Sequence, residues 1–233
     1  MSEAITPTIE DYVSLIYLMQ REGQPVIGAR LAERVGVSRP TVTATLQRME
    51  RAGLIEVGER KEVRLTPAGL EVGQALLRRH MLTEWLLSKV LGLPWHQVHE
   101  EADRLDHHLS EEAVDRLEAL LERPETCPHG NPMPGSAPVE AVPLDQVEVG
   151  AEAVVACVVE EAEEQSDLLA FLEENGLLPG AGLRVLTRRP YNQTLTVQVG
   201  EREVVLGLAV ARLIRVRSPE QPTDVCHNPR AVL

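Results

Sequence analysis

Residues 36–66 read GVSRPTVTATLQRMERAGLIEVGERKEVRLT, and this stretch decides the fold of the N-terminal third. Gly36 stops a short helix predicted over Ile27–Val35. Ser38 then stands where a cap is needed for a second helix, Arg39–Ala52, and Pro40 is tolerated because the first helical turn has no internal N–H bond to lose. Two helices joined by a tight Gly-containing turn are a helix-turn-helix signal. Leu54–Val57 and Val63–Thr66 read as strands around Gly58-Glu59-Arg60-Lys61, a hairpin with a basic tip. The helix pair alone is also the pattern of an ordinary αα-corner. The order of turn, hydroxyl-rich helix and hairpin instead predicts a winged helix. Upstream, Pro7 and the apolar repeat Ile9, Val13, Ile16, Tyr17 predict an amphipathic helix over 7–22.

Charge is distributed in a way that fits a DNA reader despite a formal net charge of −13. Residues 1–66 hold nine Lys/Arg against nine Asp/Glu, residues 67–127 six against twelve, and 128–233 eight against fifteen. Within the neutral first third, Arg39, Arg48 and Arg51 face only Glu50 across residues 37–51. A locally basic helix on an acidic body allows DNA binding while discouraging non-specific adhesion. Ser38, Arg39, Pro40, Thr41 and Thr43 are the candidates for base edges, Arg48 and Arg51 for phosphates, and Arg60 and Lys61 for the wing.

At 233 residues and 43% hydrophobic content the chain can bury real cores, in one large domain or two to three small ones. It carries no apolar run of spanning length and no basic-then-apolar leader, so a cytoplasmic protein without a membrane partner is expected. The three cysteines, Cys127, Cys157 and Cys226, are odd in number and far apart, which predicts reduced thiols rather than disulfides.

Downstream of a winged-helix domain at 1–72, residues 73–123 are predicted to be almost wholly helical and to serve dimerisation: Ala68–Arg79 runs into His80–Leu91, then Trp95–Leu109 and Glu111–Glu122 follow. Six prolines in 124–143 predict an extended linker. Residues 144–217 read as strands at Glu152–Val159, Leu183–Thr187, Thr194–Val199 and Glu203–Leu208 with a helix at Asp167–Asn175, a small five-stranded SH3-like β-barrel. Residues 218–233 read as a flexible tail. The fold class expected is therefore multi-domain and mainly α: winged helix, helical domain, small barrel.

Seven potential metal ligands lie on three of these helices: Asp11, His80, Glu84, His99, Asp103, Asp106 and His107. Spacings of three and four put His80 with Glu84 on one face, and His99, Asp103, Asp106 and His107 on another. Any one of them alone reads as a solvated charge. The set does not, because Val98, Ala102, Leu105 and Leu109 give the same segment a packed side. His99-Glu100 begins like a zincin motif, but position 103 is Asp where the second His is required, so no hydrolase, and no small-molecule substrate, is expected. Cys127, His129, Cys226 and His227 read as linker and tail residues rather than a zinc site.

In combination, TPTIEDY at 6–12, VSRPTVT at 37–43, RMERAGL at 48–54, RHMLTE at 79–84, VHEEADRLDHHLS at 98–110 and CPHGNPMP at 127–134 resemble the diphtheria toxin repressor family of metal-dependent transcriptional regulators over roughly residues 5–217. The resemblance implies a homodimer that binds inverted-repeat operator DNA, two metal sites in the dimerisation domain, and a third, SH3-like domain. It places Asp11, Asp103, Asp106 and His107 on the primary site and His80, Glu84 and His99 on the second. The iron-responsive branch has Met and Cys where this chain has Asp11 and Asp103, whereas the manganese branch has carboxylates at both. The chain departs from the latter in having Asp at 103 and 106 where Glu is usual, and Ser14 where a further Glu would stand. The third-domain ligand pair of the iron branch maps near Gln165 and Leu168, and Leu cannot ligate, so the contribution of that pair is discounted.

The reading that follows is a manganese-dependent repressor of metal-uptake genes, with an iron-dependent repressor, or a metabolite-sensing winged-helix regulator, as alternatives. Carboxylate and imidazole donors without sulfur suit Mn²⁺, with Fe²⁺ also accepted. Unscreened like charges about 4 Å apart cost up to ~4 kcal/mol at an effective dielectric of about 20, and a cation reverses that sign. An ion shared by Asp11 and the 103–107 cluster would then select a dimer whose recognition helices are spaced about 34 Å apart for successive major grooves.

Overall fold

The computed structural model describes residues 6–136 and 140–219. The predicted tail therefore lies, from residue 220 on, outside the described residues. The chain divides into two compact units, Met1–Arg79 and His80–Leu233.

In the first unit, α1 (Pro7–Arg21) has Pro in its first turn and buries Ile9, Tyr12, Val13, Ile16, Tyr17 and Met19. Each large apolar side chain so buried contributes about 1.5–3 kcal/mol before its entropy cost. α2 (Gly28–Val35) ends at Gly36, whose φ of 70° gives the left-handed cap that β-carbon-bearing residues adopt only with strain. The Ser38 Oγ then accepts from the Thr41 N–H, starting α3 (Arg39–Arg51). α3 buries Val42, Thr45, Leu46 and Met49, leaving Arg39, Pro40, Thr41, Thr43 and Arg51 exposed. β1 (Ile55–Val57) pairs antiparallel with β2 (Val63–Leu65), Ile55 opposite Leu65. Between them Lys61, at φ 63°, closes an exposed turn by donating its N–H to the Gly58 carbonyl. Both helices and the wing thus stand as expected.

α4 (Pro67–Trp85) carries the chain into the second unit and continues into one wide π-turn, Leu86–Val90. A 3₁₀ turn (Trp95–Gln97) leads into α5 (Val98–Leu105), a second such turn (Asp106–His108) follows, and Ser110 caps α6 (Glu111–Leu120). Within the stretch expected to be an extended linker, residues 125–133 instead fold back on themselves: Met133 N donates to Glu125 O, Cys127 N to Asn131 O, and Thr126 pairs with Pro132. The prolines here delimit a hairpin-like loop rather than extend a spacer.

The C-terminal region holds β3 (Val142–Pro143), β4 (Glu152–Val158), α7 (Glu160–Glu163), α8 (Ser166–Glu174), β5 (Gly182–Arg189), β6 (Thr194–Val199), β7 (Arg202–Gly207), α9 (Leu208–Leu213) and β8 (Ile214–Arg217). Its strands form one six-stranded antiparallel sheet in the order β3-β8-β4-β5-β6-β7. The expected count of five is corrected: β3 is a two-residue edge containing Pro143, and β8 alternates Ile and Val with two arginines, a pattern easily passed over. β3 and β7 are the edges, and among the described residues they do not pair to close a barrel. The architecture is mixed helix and sheet rather than mainly α.

Candidate metal centre

His80 and Glu84 lie one turn apart on α4, and His99 and Asp103 one turn apart on α5, so each helix presents a pair of donors on one face. Asp106 and His107 follow in the 3₁₀ turn. His80 joins the sets that the resemblance had separated: its Nδ1 stands 3.0 Å from Asp106 Oδ2 and 3.4 Å from Asp103 Oδ1, while its Nε2 stands 3.1 Å from His99 Nδ1 and 3.3 Å from Glu84 Oε1. His107 Nε2 is 3.7 Å from Asp106 Oδ1. Asp11 is exposed on α1 of the first unit.

Three donors absent from the sequence expectation complete the cluster. Cys127 and His129, in the folded-back loop, and Glu163, on α7, are all buried. Glu163 Oε2 is 3.2 Å from His99 Nδ1, and His129 Nδ1 lies 3.3 Å from Glu84 Oε1 and 3.5 Å from Glu163 Oε2. The donor atoms form two groups, Glu84 with Cys127, His129 and Glu163, and His80 with His99 and Asp103, each with all its donor atoms within 4.8 Å of one another. The third domain thus places one carboxylate, Glu163, among these candidate donors. Glu163, two residues before Gln165, stands there because α7 turns it inward, and Asn131 Nδ2 steadies its Oε1 at 2.5 Å.

The loop reaches the sheet because Gly130 permits it. At φ 88°, a β-carbon there would run into the Ala156 carbonyl and stand 2.9 Å from Cys157 Cα, both on β4. The Val158 N–H donates to the His129 carbonyl at 3.0 Å, and Asn131 Nδ2 donates to the Val158 carbonyl at 2.7 Å.

Burial alone would discharge these groups, yet they sustain one another. For His80 burial opposes the imidazolium, but the Asp106 and Glu84 carboxylates outweigh it and the pKa is pushed up to about 10. His99 is likewise raised well above its ordinary value, burial being overcome by Glu163 and Glu84. Burial would raise Glu84, but the neighbouring imidazoles, His129 foremost, hold it well below the carboxylate range. Cys127 is held well above the usual thiol range by burial and by the Glu163, Glu84 and Glu160 carboxylates. Its thiol therefore keeps its proton unless a cation takes its place.

An N-terminal segment, residues 4–63, matches the iron dependent repressor N-terminal DNA binding domain; residues 66–135 match the iron dependent repressor metal binding and dimerisation domain, and 142–218 a FeoA domain. The iron-dependent repressor IdeR of Mycobacterium leprae is 35% identical over 225 residues, covering 91% of this chain and 97% of that protein. The chain belongs to the iron-dependent repressor family. The diphtheria toxin repressor of Corynebacterium diphtheriae is 39% identical over 146 residues, 63% of this chain and 61% of that protein. A manganese-dependent transcriptional repressor solved in complex with manganese superposes with a TM-score of 0.81 at 31% identity, over 90% of this chain and 99% of the other. The protein is thus a metal-dependent transcriptional repressor of this family, with DNA-binding and dimerisation domains, and not an enzyme.

The residues of this family member fit a divalent cation. Glu84 Oε2, Asp106 Oδ1 and His129 Nε2 are buried without a hydrogen-bond partner, a costly arrangement unless an ion engages such atoms. The signal that would have found two of the three missing donors, Cys127 and His129, was CPHGN at 127–131, a Cys and a His two apart followed by Gly. The proline content around it argued for a spacer instead.

Proposed function

We propose that this repressor is manganese-responsive: metal-loaded, it binds an inverted-repeat operator in double-stranded DNA as a homodimer and controls metal-uptake genes. The observation that carries the reading is the convergence of imidazole and carboxylate donors from α4, α5 and α7, Glu84 and Glu163 fully buried, with orphaned atoms among them. His80, His99, Asp103 and Asp106 would hold one ion, with His107 as a further ligand; Glu84, Cys127, His129 and Glu163 would hold another. A bound divalent cation supplies the positive charge that lets these carboxylates share one space.

The protein's own residues do the rest. Exposed Arg39, Pro40, Thr41 and Thr43 on α3, with the capping Ser38, are the groups for base edges; Arg48 and Arg51 serve phosphates, and Arg60 and Lys61 the wing. Replacing Asp11 tests whether the DNA-binding unit contributes a ligand.

Manganese is preferred because the His80 group is all oxygen and nitrogen. The sulfur-free donor set expected from the sequence does not extend to the second group, where the Cys127 thiol suits softer ions and keeps iron as the second reading. Anaerobic mobility-shift titrations with Mn²⁺ and Fe²⁺, each with and without chelator, test both. Tight operator binding with Mn²⁺ at least equal to that with Fe²⁺ is expected; a response to Fe²⁺ alone makes it an iron sensor, and equal affinity under chelation removes metal dependence.

A further inference from the structure

The chain contains two tryptophans, and both donate to the loop that carries Cys127. The Trp85 indole N–H, at the end of α4, donates to the Thr126 carbonyl at 2.6 Å. The Trp95 indole N–H, in the 3₁₀ turn before α5, donates to the Pro128 carbonyl at 2.9 Å. Four consecutive carbonyls are thereby satisfied: Thr126 by Trp85, Cys127 by Gly130 N–H, Pro128 by Trp95 and His129 by Val158 N–H. Cys127, Pro128 and His129 are buried and Thr126 is half-buried, so the loop is held best when these carbonyls find partners within the protein. Pro128 removes one N–H from the loop's own supply, and indoles from two other elements provide the remaining donors.

Trp95 is itself held. Glu173 on α8 accepts from the Trp95 and His96 backbone N–H groups at 3.4 and 3.3 Å and pairs with His96 Nδ1 at 2.6 Å. The Trp95 ring packs against the C-terminal core and lies 4.7 Å from the His129 ring, tilted by 52°.

We propose that Trp85 and Trp95 are positioning residues for the Cys127 metal group, gripping the carbonyls on either side of Cys127 so that its sulfur and the His129 imidazole face Glu84 and Glu163. Through Glu173, the Trp95 half of the grip depends on the C-terminal domain. This rests on the reading that Glu84, Cys127, His129 and Glu163 hold a divalent cation. Supporting groups of this kind change metal affinity by roughly 10- to 100-fold when removed.

The test is a Co²⁺ titration of the full-length protein, followed by the thiolate-to-cobalt charge-transfer absorption, which reports sulfur ligation at Cys127 directly. Trp85→Phe and Trp95→Phe keep an aromatic ring and delete the N–H. Each should raise the Co²⁺ concentration at half-saturation of that band by about 10-fold or more, with a weaker band at saturation. Glu173→Ala, on the far side of Trp95, should do the same to a smaller degree, and it serves if a tryptophan variant does not fold. Leu195→Ala, in the sheet core, is the control for destabilisation without loss of an indole donor. Unchanged half-saturation and intensity in the folded variants, or an equal change in Leu195→Ala, would overturn the positioning role alone. A parent protein whose cobalt spectrum is the same as that of Cys127→Ser would remove Cys127 as a ligand and the proposal with it.

Discussion

His99 Nδ1 stands 3.2 Å from Glu163 Oε2, an ion-pair contact that joins α5 of the helical region to α7 of the C-terminal region. Because Glu163 also lies beside His129 and accepts from Asn131, one carboxylate links the helical donors to those of the folded-back loop. The C-terminal region thus contributes a carboxylate to the candidate metal centre.

Glu163→Gln keeps the size of the side chain and removes its charge. We expect the number of tightly bound ions per chain, read by elemental analysis after gel filtration, to fall, with about 10- to 100-fold weaker affinity at the Cys127 group by calorimetry. Parental stoichiometry and affinity would exclude Glu163 as a ligand.

Gly130→Ala should be costly. Left-handed backbone strain alone amounts to about 1–3 kcal/mol, and the new methyl meets the Ala156 carbonyl. The expected outcome is a lower Tm and loss of the thiolate–cobalt band, since the loop cannot seat against β4. A variant with parental Tm and spectrum would mean that the loop tolerates displacement.

His80 sets a pH dependence. Its pKa in the folded protein, about 10, exceeds its ordinary 6.5, so its contribution to stability is fully present below pH 6.5 and is lost as pH rises through about 10. Chelator-treated protein should therefore lose Tm between pH 7 and pH 10, and His80→Gln should flatten that decline. Metal binding runs the other way, because the ion takes a neutral imidazole and is favoured as pH rises. A Tm independent of pH in the presence of chelator contradicts the assignment.

Arg48→Ala should weaken binding to every DNA sequence alike. The log–log salt dependence should become shallower by roughly 0.9 for each phosphate that Arg48 neutralises in a subunit. Filter binding across a salt series reads the slope. An unaltered slope places Arg48 off the DNA.

Asp11→Met combined with Asp103→Cys replaces two oxygen donors with sulfur. The activating metal in operator-binding titrations should shift from Mn²⁺ toward Fe²⁺ or softer ions. An unchanged metal ranking would show that neither residue determines the choice.

Local rules made much of this protein readable from its sequence. Gly36, Ser38 and Pro40 punctuate α2 and α3, the three- and four-residue spacings pair His80 with Glu84 and His99 with Asp103, and alternation marks β4, β5, β6 and β7. These signals work because caps and helix faces depend on neighbours within a few residues. Two short strands and the fold of residues 125–133 were not legible, nor was the convergence of Cys127, His129 and Glu163 on the candidate metal centre. Each depends on partners far along the chain. The loop needs indoles from Trp85 and Trp95 and the edge of β4 to satisfy its carbonyls, and Glu163 turns inward only where α7 lies against the helices. Spacing within one element places donors on a face; only packing between elements decides which faces meet, because burying a carboxylate or a thiol is tolerable solely where other segments supply its partners.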